Sequence, residues 1–236
     1  MDDRIQRFYI EFNKLHDSLK EKTGKDDDFF SLLKLLEKDI VVGRYKDQLH
    51  IIRKLRNLLV HETRTVEYDI ATPSEEVIEY MKFVRKQIIQ PASVGDHFSR
   101  KVFCFNINDS LERLLYFLDK KQLYQFPVFD ENGLAGVISH NGITNWLAHN
   151  FSNPDLDFKQ VKIRDIVADE NSYYHYEVIR PETTLFDVEQ MFSSNLAVGR
   201  SQYVILISDT KEIKEYEDIK GIVTPWDLPE VMTAIQ

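Results

Sequence analysis

The sequence predicts an α+β chain: an N-terminal helical bundle followed by a mixed region that is one unit built twice. Three observations predict this. Residues 1–90 contain little that reads as strand, and their apolar side chains recur at helical spacing. After Pro91, short β-rich runs alternate with helical ones. Finally, "GIVTPWDL" at residues 221–228 has a weaker echo 85 positions earlier in "GVISHNGI".

The helices come first. "RIQRFYIEFNKLHDSLKEK" places Ile5, Phe8, Phe12, Leu15 and Leu19 three and four apart, a single apolar stripe. "DDDFFSLLKLLEKDI" opens with acids suited to a helix N-terminus and repeats the pattern. "YKDQLHIIRKLRNLLVHE" is a third helix, with Leu49, Ile52, Leu55, Leu58 and Leu59 as its expected buried stripe. "TPSEEVIEYMKFVRKQII" is a fourth. Pro73, Ser74, Glu75 and Glu76 start it, and Pro91 ends it. Short connections between four helices predict an antiparallel bundle over residues 1–91.

Beyond Pro91, "KVFCFNI", "QFPVFDENGLAGVIS", "YHYEVI", "SQYVILIS" and "DIKGIVT" are strand candidates. "NDSLERLLYFLDKKQ" aligns with "ETTLFDVEQMFSSN", carrying Leu111 onto Leu185 at an offset of 74, and "QFPVF" aligns with "QYVIL" at 77. The drift in offset falls near "AVGR" and in the charged "DTKEIKEYEDIK", where loops absorb insertions. Each repeat reads strand, helix, strand, strand, helix. Repeat one covers about 93–151 and repeat two about 160–236 of a second domain at 92–236.

Composition excludes several classes. With 236 residues, 43% of them hydrophobic, the chain has the makeup of a folded protein. No run approaches the roughly 20 apolar residues that span a bilayer. The opening "MDDRIQRFYIEF" has no secretory apolar core, so the expectation is cytoplasmic, with no membrane partner. The single cysteine, Cys104, forms no internal disulfide, and the seven histidines lack metal-ligand spacing, so no metal is expected. The net charge of −9 lies wholly beyond residue 91, because residues 1–91 hold 17 basic and 17 acidic side chains. An acidic region of that kind is a poor partner for duplex DNA. Eight glycines form no phosphate loop of the Walker or Gly-x-Gly-x-x-Gly type, so ATP hydrolysis has no machinery here. "SYYHYEV" could stack a base, although strand aromatics more often build core.

The lead-in "SVGDHFSRKVFCFNINDSLERLL", the repeated element order and the closing Gly-hydrophobic-hydrophobic-Thr-x-x-Asp together resemble a tandem pair of CBS domains over residues 93–236. "KIRDIV" resembles the same lead-in before repeat two. The resemblance implies two repeats packed by their sheets, with clefts that take adenosine-containing ligands such as AMP, ADP, ATP or S-adenosylmethionine. It assigns Thr224 and Asp227 to ribose and phosphate, Arg200 to phosphate, and the stretch from Tyr176 through Val178 to Ile179 to the adenine, with Tyr203 and Ser139 as further contacts. A carboxylate suits a ribose diol because it accepts two hydrogen bonds. Asp227 is equally a good helix N-cap. Repeat one keeps the hydroxyl as Ser139 but has Gly142 where the acid would stand, and bulky Phe103 and Phe105 could fill its cleft. The expectation is one site kept and one lost.

In the helical region, "RNLLVHE", with Arg56-Asn57 and then His61, resembles the signature of HEPN-type helical domains. His50, Arg53, Lys54, Asn57 and His61 form a polar face opposite the leucines, and six basic against two acidic residues lie between Arg44 and Arg64. Active members of that family are metal-independent ribonucleases that work as dimers. The resemblance implies His61 as general acid or base, Arg56 on the phosphorane charge and Asn57 as an orienting group. One subgroup has a Tyr where this chain has Thr63. The alternative is a polar face of structural hydrogen bonds. Residues five apart lie about 140° apart around a helix. A converging Arg56–His61 site therefore needs either a helix that stops before His61 or a second chain.

The expected function is regulatory: a CBS pair senses an adenine nucleotide and controls the helical domain or its homodimer. The alternatives are a nucleotide-gated HEPN ribonuclease acting on RNA and a ligand-free dimerisation scaffold.

Overall fold

The computed structural model describes residues 3–61 (His61 by its backbone alone), 71–168, 175–200 and 203–236. The His61 side chain, Thr63, Arg64 and Ser172–Tyr174 of "SYYHYEV" lie outside the described residues. Two compact units emerge, Met1–Ala92 and Ser93–Ala234.

The first unit is helical: α1 Asp3–Thr23, α2 Phe29–Leu35, α3 Ile40–His61 and α4 Glu75–Ile89. The stripe of α1 (Ile5, Phe8, Phe12, Leu15, Leu19) is buried as its spacing predicts. It packs on Phe29, Leu32 and Leu33 of α2 and on Ile78, Met81 and Val84 of α4. Asp28 caps α2, accepting from the amides of Phe30 at 2.9 Å and Ser31 at 3.3 Å. The second and third helices divide differently from the sequence reading. α2 stops at Leu35, and α3 begins at Ile40 rather than Tyr45, because the Asp39 carboxylate caps the amides of Val41 (3.1 Å) and Val42 (2.9 Å). The expected stripe of α3 is also narrower. Leu49, Ile52 and Leu59 are buried, Leu55 is half-buried and Leu58 is exposed. Between α1 and α4, Arg7 forms a two-bonded pair with Glu75 and buried Glu11 meets Arg85 at 3.7 Å, while within α1 Glu11 also meets Lys14 at 2.8 Å.

The second unit repeats one topology. Its elements are α5 Val94–Phe98, β1 Phe105–Asn106, α6 Leu111–Lys121, β2 Gln125–Asp130, β3 Gly133–Ser139 and α7 His140–Asn150. They continue with α8 Ile163–Val167, β4 His175–Ile179, α9 Leu185–Ala197, β5 Tyr203–Ser208, β6 Ile219–Val223 and α10 Leu228–Ala234. The sheets are β1-β2-β3 and β4-β5-β6, each with its first strand parallel and its last antiparallel to the middle one. Both bulge late in the middle strand, between Val128 and Phe129 and between Ile207 and Ser208. Phe129 and Val137 from one sheet and Val204 and Leu206 from the other form a shared apolar core.

The lead-in helices cross over. α8 of repeat two is stitched to repeat one by Ile163 N donating to Asp109 O at 2.9 Å and Arg164 N to Ile107 O at 2.8 Å. α5 of repeat one is stitched to repeat two by Val94 N to Thr183 O and Gly95 N to Pro181 O, both 2.8 Å. Beyond α5, the chain runs against the free edge of β6, with a bridge from Ser99 to Gly221 and Arg100 N donating to Lys220 O at 2.9 Å. Glycine at 221 permits this crossing, since a Cβ there would sit 2.3 Å from Phe98 O. That crossing positions the site.

Candidate ligand-binding cleft

A cleft of about 640 Å³ lies in the second unit, within the range of small-molecule sites. Three walls meet there, each fixed by local chemistry. Ile222, Thr224, Trp226 and Asp227 come from the end of β6 and the turn after it. Arg100, Lys101, Val102 and Phe103 come from the segment that the Gly221 crossing lays beside β6. From repeat one come the turn Gln122–Gln125 and His140, the first residue of α7.

The Thr224–Asp227 turn is tightly bonded. Asp227 Oδ2 accepts from the Thr224 amide at 2.7 Å and the Thr224 hydroxyl at 2.9 Å, and Asp227 Oδ1 accepts from Arg100 Nη2 at 3.2 Å. Pro225, at the first position of this turn, loses no needed N–H. Thr224 is the N-cap of this turn and Asp227 closes the capping box from its third position instead of serving as the N-cap itself, with its second oxygen facing the cleft side where Arg100 lies. Across the cleft, Gln122 holds a left-handed conformation (φ 52°) after α6. It is tied down by its amide donating to Asp119 O at 2.9 Å and by the Tyr124 hydroxyl donating to its Oε1 at 2.8 Å. The Tyr124 and His140 rings meet edge to face at 5.3 Å. His140 Nδ1 is buried and has no hydrogen-bond partner among the described residues. Trp226 is 79% exposed, a large aromatic face lying open at the mouth. Two cations, three aromatics and a single carboxylate therefore line one space.

Thr224 and Asp227 are brought together, and Arg200 stands exposed beyond the N-terminal end of β5, the end at which β6 gives way to Thr224. The other expected contacts lie elsewhere. Tyr176, Val178 and Ile179, expected beside the adenine, sit on β4, which β5 separates from β6 and Thr224. Two strand spacings, about 10 Å, put them on the opposite edge. Tyr176 and Val178 line a smaller cleft with Asn132, Leu134 and Lys211–Lys214. Tyr176 is thereby exposed rather than core, while Ile179 is buried. Tyr203 is also removed from the cleft. Its hydroxyl donates to Glu177 at 2.7 Å and its ring packs edge-on to Phe192, and burial with the Glu177 carboxylate pushes its pKa upward. Ser139 is fully buried, with its Oγ accepting from Gly142 N at 3.1 Å as the cap of α7. Phe105 fills the core of repeat one, against Phe117 and Phe126, whereas Phe103 walls the Thr224 cleft instead of blocking its own.

Sequence reasoning did not single out Arg100, Lys101, Tyr124, His140 or Trp226 as contacts. Trp226 had a signal, since it is a spacer inside the motif already quoted. Tyr124 and His140 had none, because only the packing of the two repeats brings them opposite Asp227.

On α3, Arg56 Nη1 reaches Asn57 Oδ1 at 3.4 Å, and its guanidinium lies 5.8 Å from the Phe12 ring centre. Arg53 lies 4.8 Å over Phe30. α3 runs unbroken through His61, which removes the option of a helix ending before it. Among the described residues there is no group of three metal-capable side chains, and no helix is long and apolar enough to cross a membrane.

Residues 94–149 match the model of the CBS domain family. Over 140 residues the chain is 26% identical to the uncharacterized protein MJ1232 of Methanocaldococcus jannaschii, covering 59% of this chain and 39% of that one. The chain thus spans well under half the length of that curated relative. Among solved structures it is similar to the CBS domain pair of protein MJ0100 in complex with 5'-methylthioadenosine and S-adenosyl-L-methionine. There the identity is 20% over 62% of this chain and 99% of the other, with a TM-score of 0.44. It is also similar to CBSX2 in complex with AMP, at 19% identity over 61% of this chain and 98% of the other, with a TM-score of 0.43.

Proposed function

We infer, from a chain whose residues 94–149 match the CBS domain family, that this is a ligand-responsive regulatory protein. The CBS-like repeats bind an adenosine-containing small molecule, and the HEPN-like helical domain or its homodimer responds. The domain limits that go with this reading are 1–91 and 92–236. One observation carries it: the cleft presents a carboxylate beside a hydroxyl, three aromatic side chains and two cations. Those groups suit a ribose, a flat base and a phosphate respectively. Control by a ligand requires different affinities for two states of the protein. The test is calorimetric titration with AMP, ADP, ATP and S-adenosylmethionine on wild type and Asp227→Ala. Micromolar binding of one ligand, lost in the folded variant, is expected. No heat from any ligand would leave the repeats as a dimerisation scaffold.

A second reading is a nucleotide-gated metal-independent ribonuclease built on Arg56, Asn57 and His61 of α3. A helix unbroken through His61 keeps Arg56 and His61 about 140° apart, so any converging site draws on two chains. Single-stranded RNA incubated with wild type and His61→Ala decides it. Cleavage by both proteins, or by neither, sinks the idea.

A further inference from the structure

Asp227 does not hold its whole carboxylate free. Oδ2 is engaged by the amide and hydroxyl of Thr224, and Oδ1 accepts from Arg100 Nη2 at 3.2 Å. The same nitrogen reaches Ile222 O at 3.3 Å. Both contacts are long for a guanidinium, and the Arg100 side chain is 53% exposed, so the pair is weak and readily exchanged. The Arg100 main chain, by contrast, is fixed on β6 by its bond to Lys220 O at 2.9 Å. The side chain can therefore turn without moving the cleft wall. Lys101 and His140 stand in the same cleft, and Asp227 is the only acid among its lining residues.

Resting on the reading of this cleft as an adenosine site, we propose that Arg100 is a built-in stand-in for the ligand and fixes the ligand's class as a nucleoside phosphate. Arg100 occupies the carboxylate oxygen that a ribose hydroxyl would take. A nucleoside monophosphate completes an exchange of partners, its ribose donating to Asp227 Oδ1 while its phosphate receives the released guanidinium. An uncharged nucleoside displaces Arg100 and leaves it without an anion. A cationic adenosine compound is disfavoured further, since its positive charge faces Arg100 and Lys101.

Calorimetry on the full chain with AMP and with adenosine tests this, using wild type, Arg100→Gln and Lys101→Gln. Wild type is expected to prefer AMP by about tenfold or more, the worth of a charge-assisted hydrogen bond. Arg100→Gln shifts the two ligands in opposite directions: AMP weakens by about tenfold, and adenosine tightens by about two- to fivefold because a weak internal competitor is gone. Lys101→Gln weakens AMP and leaves adenosine unchanged, since it does not touch Asp227. If Arg100→Gln weakens both ligands or alters neither, or if wild type binds adenosine as tightly as AMP, the exchange is overturned while the adenosine reading stands. If wild type binds none of AMP, adenosine, ADP, ATP and S-adenosylmethionine, both fall.

Discussion

Gly221→Ala is the sharpest structural perturbation available, because it acts on the crossing that builds the cleft. An alanine Cβ at 221 would stand 2.3 Å from Phe98 O and 2.9 Å from Ile207 Cδ1. The isoleucine methyl can rotate away, but the carbonyl is main chain held by α5 and by the bridge from Ser99 to Gly221. Restoring an ordinary contact moves the segment outward by about 1 Å, with the strain of an overpacked core, about 1–3 kcal/mol. Stretching the Arg100 N to Lys220 O bond adds up to about 1 kcal/mol. The sum, about 1–4 kcal/mol, lowers the melting temperature by roughly 2–16 °C for a domain of this size. Differential scanning calorimetry reads that shift, and AMP titration reads the displaced Arg100–Phe103 wall as weaker binding. A variant that melts within about 1 °C of wild type and binds AMP equally well would refute the claim that this crossing is close-packed and frames the site.

Two further outcomes follow from exposure and burial. Trp226→Ala should leave stability within about 0.5 kcal/mol, because a surface side chain contributes little. It should weaken an adenine ligand by about tenfold if the indole stacks on the base, and in wild type the ligand should alter the fluorescence of this exposed ring rather than that of buried Trp146. Burial, with Glu217 nearby, pushes the Cys104 thiol from 9.0 up to about 12. Its thiolate is therefore scarce at pH 8, and alkylation of the native protein should run far slower than of the unfolded chain. The sign of the pH effect follows from the raised value. This group's contribution to stability is complete below about pH 9 and is lost as pH rises through about 12, which urea denaturation across that range would register.

The sequence determined what is local. Period-3.6 stripes in the first unit, the Ser74 start of α4 and the strand-helix-strand-strand-helix order of both repeats rest on neighbours within a few residues, so they were legible without a structure. Thr224 and Asp227 were legible for the same reason, three residues apart across one turn. Helix limits around Asp39 were not, since an aspartate reads as an ending or a cap until its amide partners are known. The distance between Tyr176–Ile179 and Thr224 was not legible, because strand order is not written in strand sequence: β4 lies one strand beyond β5 from the motif. The exchange of lead-in segments between the repeats is set by packing between distant elements. This brings Arg100, distant in sequence, onto the second oxygen of Asp227 and sets Tyr124 and His140 opposite it. Those contacts arise from sheet edges and shared core packing, which depend on where whole elements dock and leave no periodic trace in the chain.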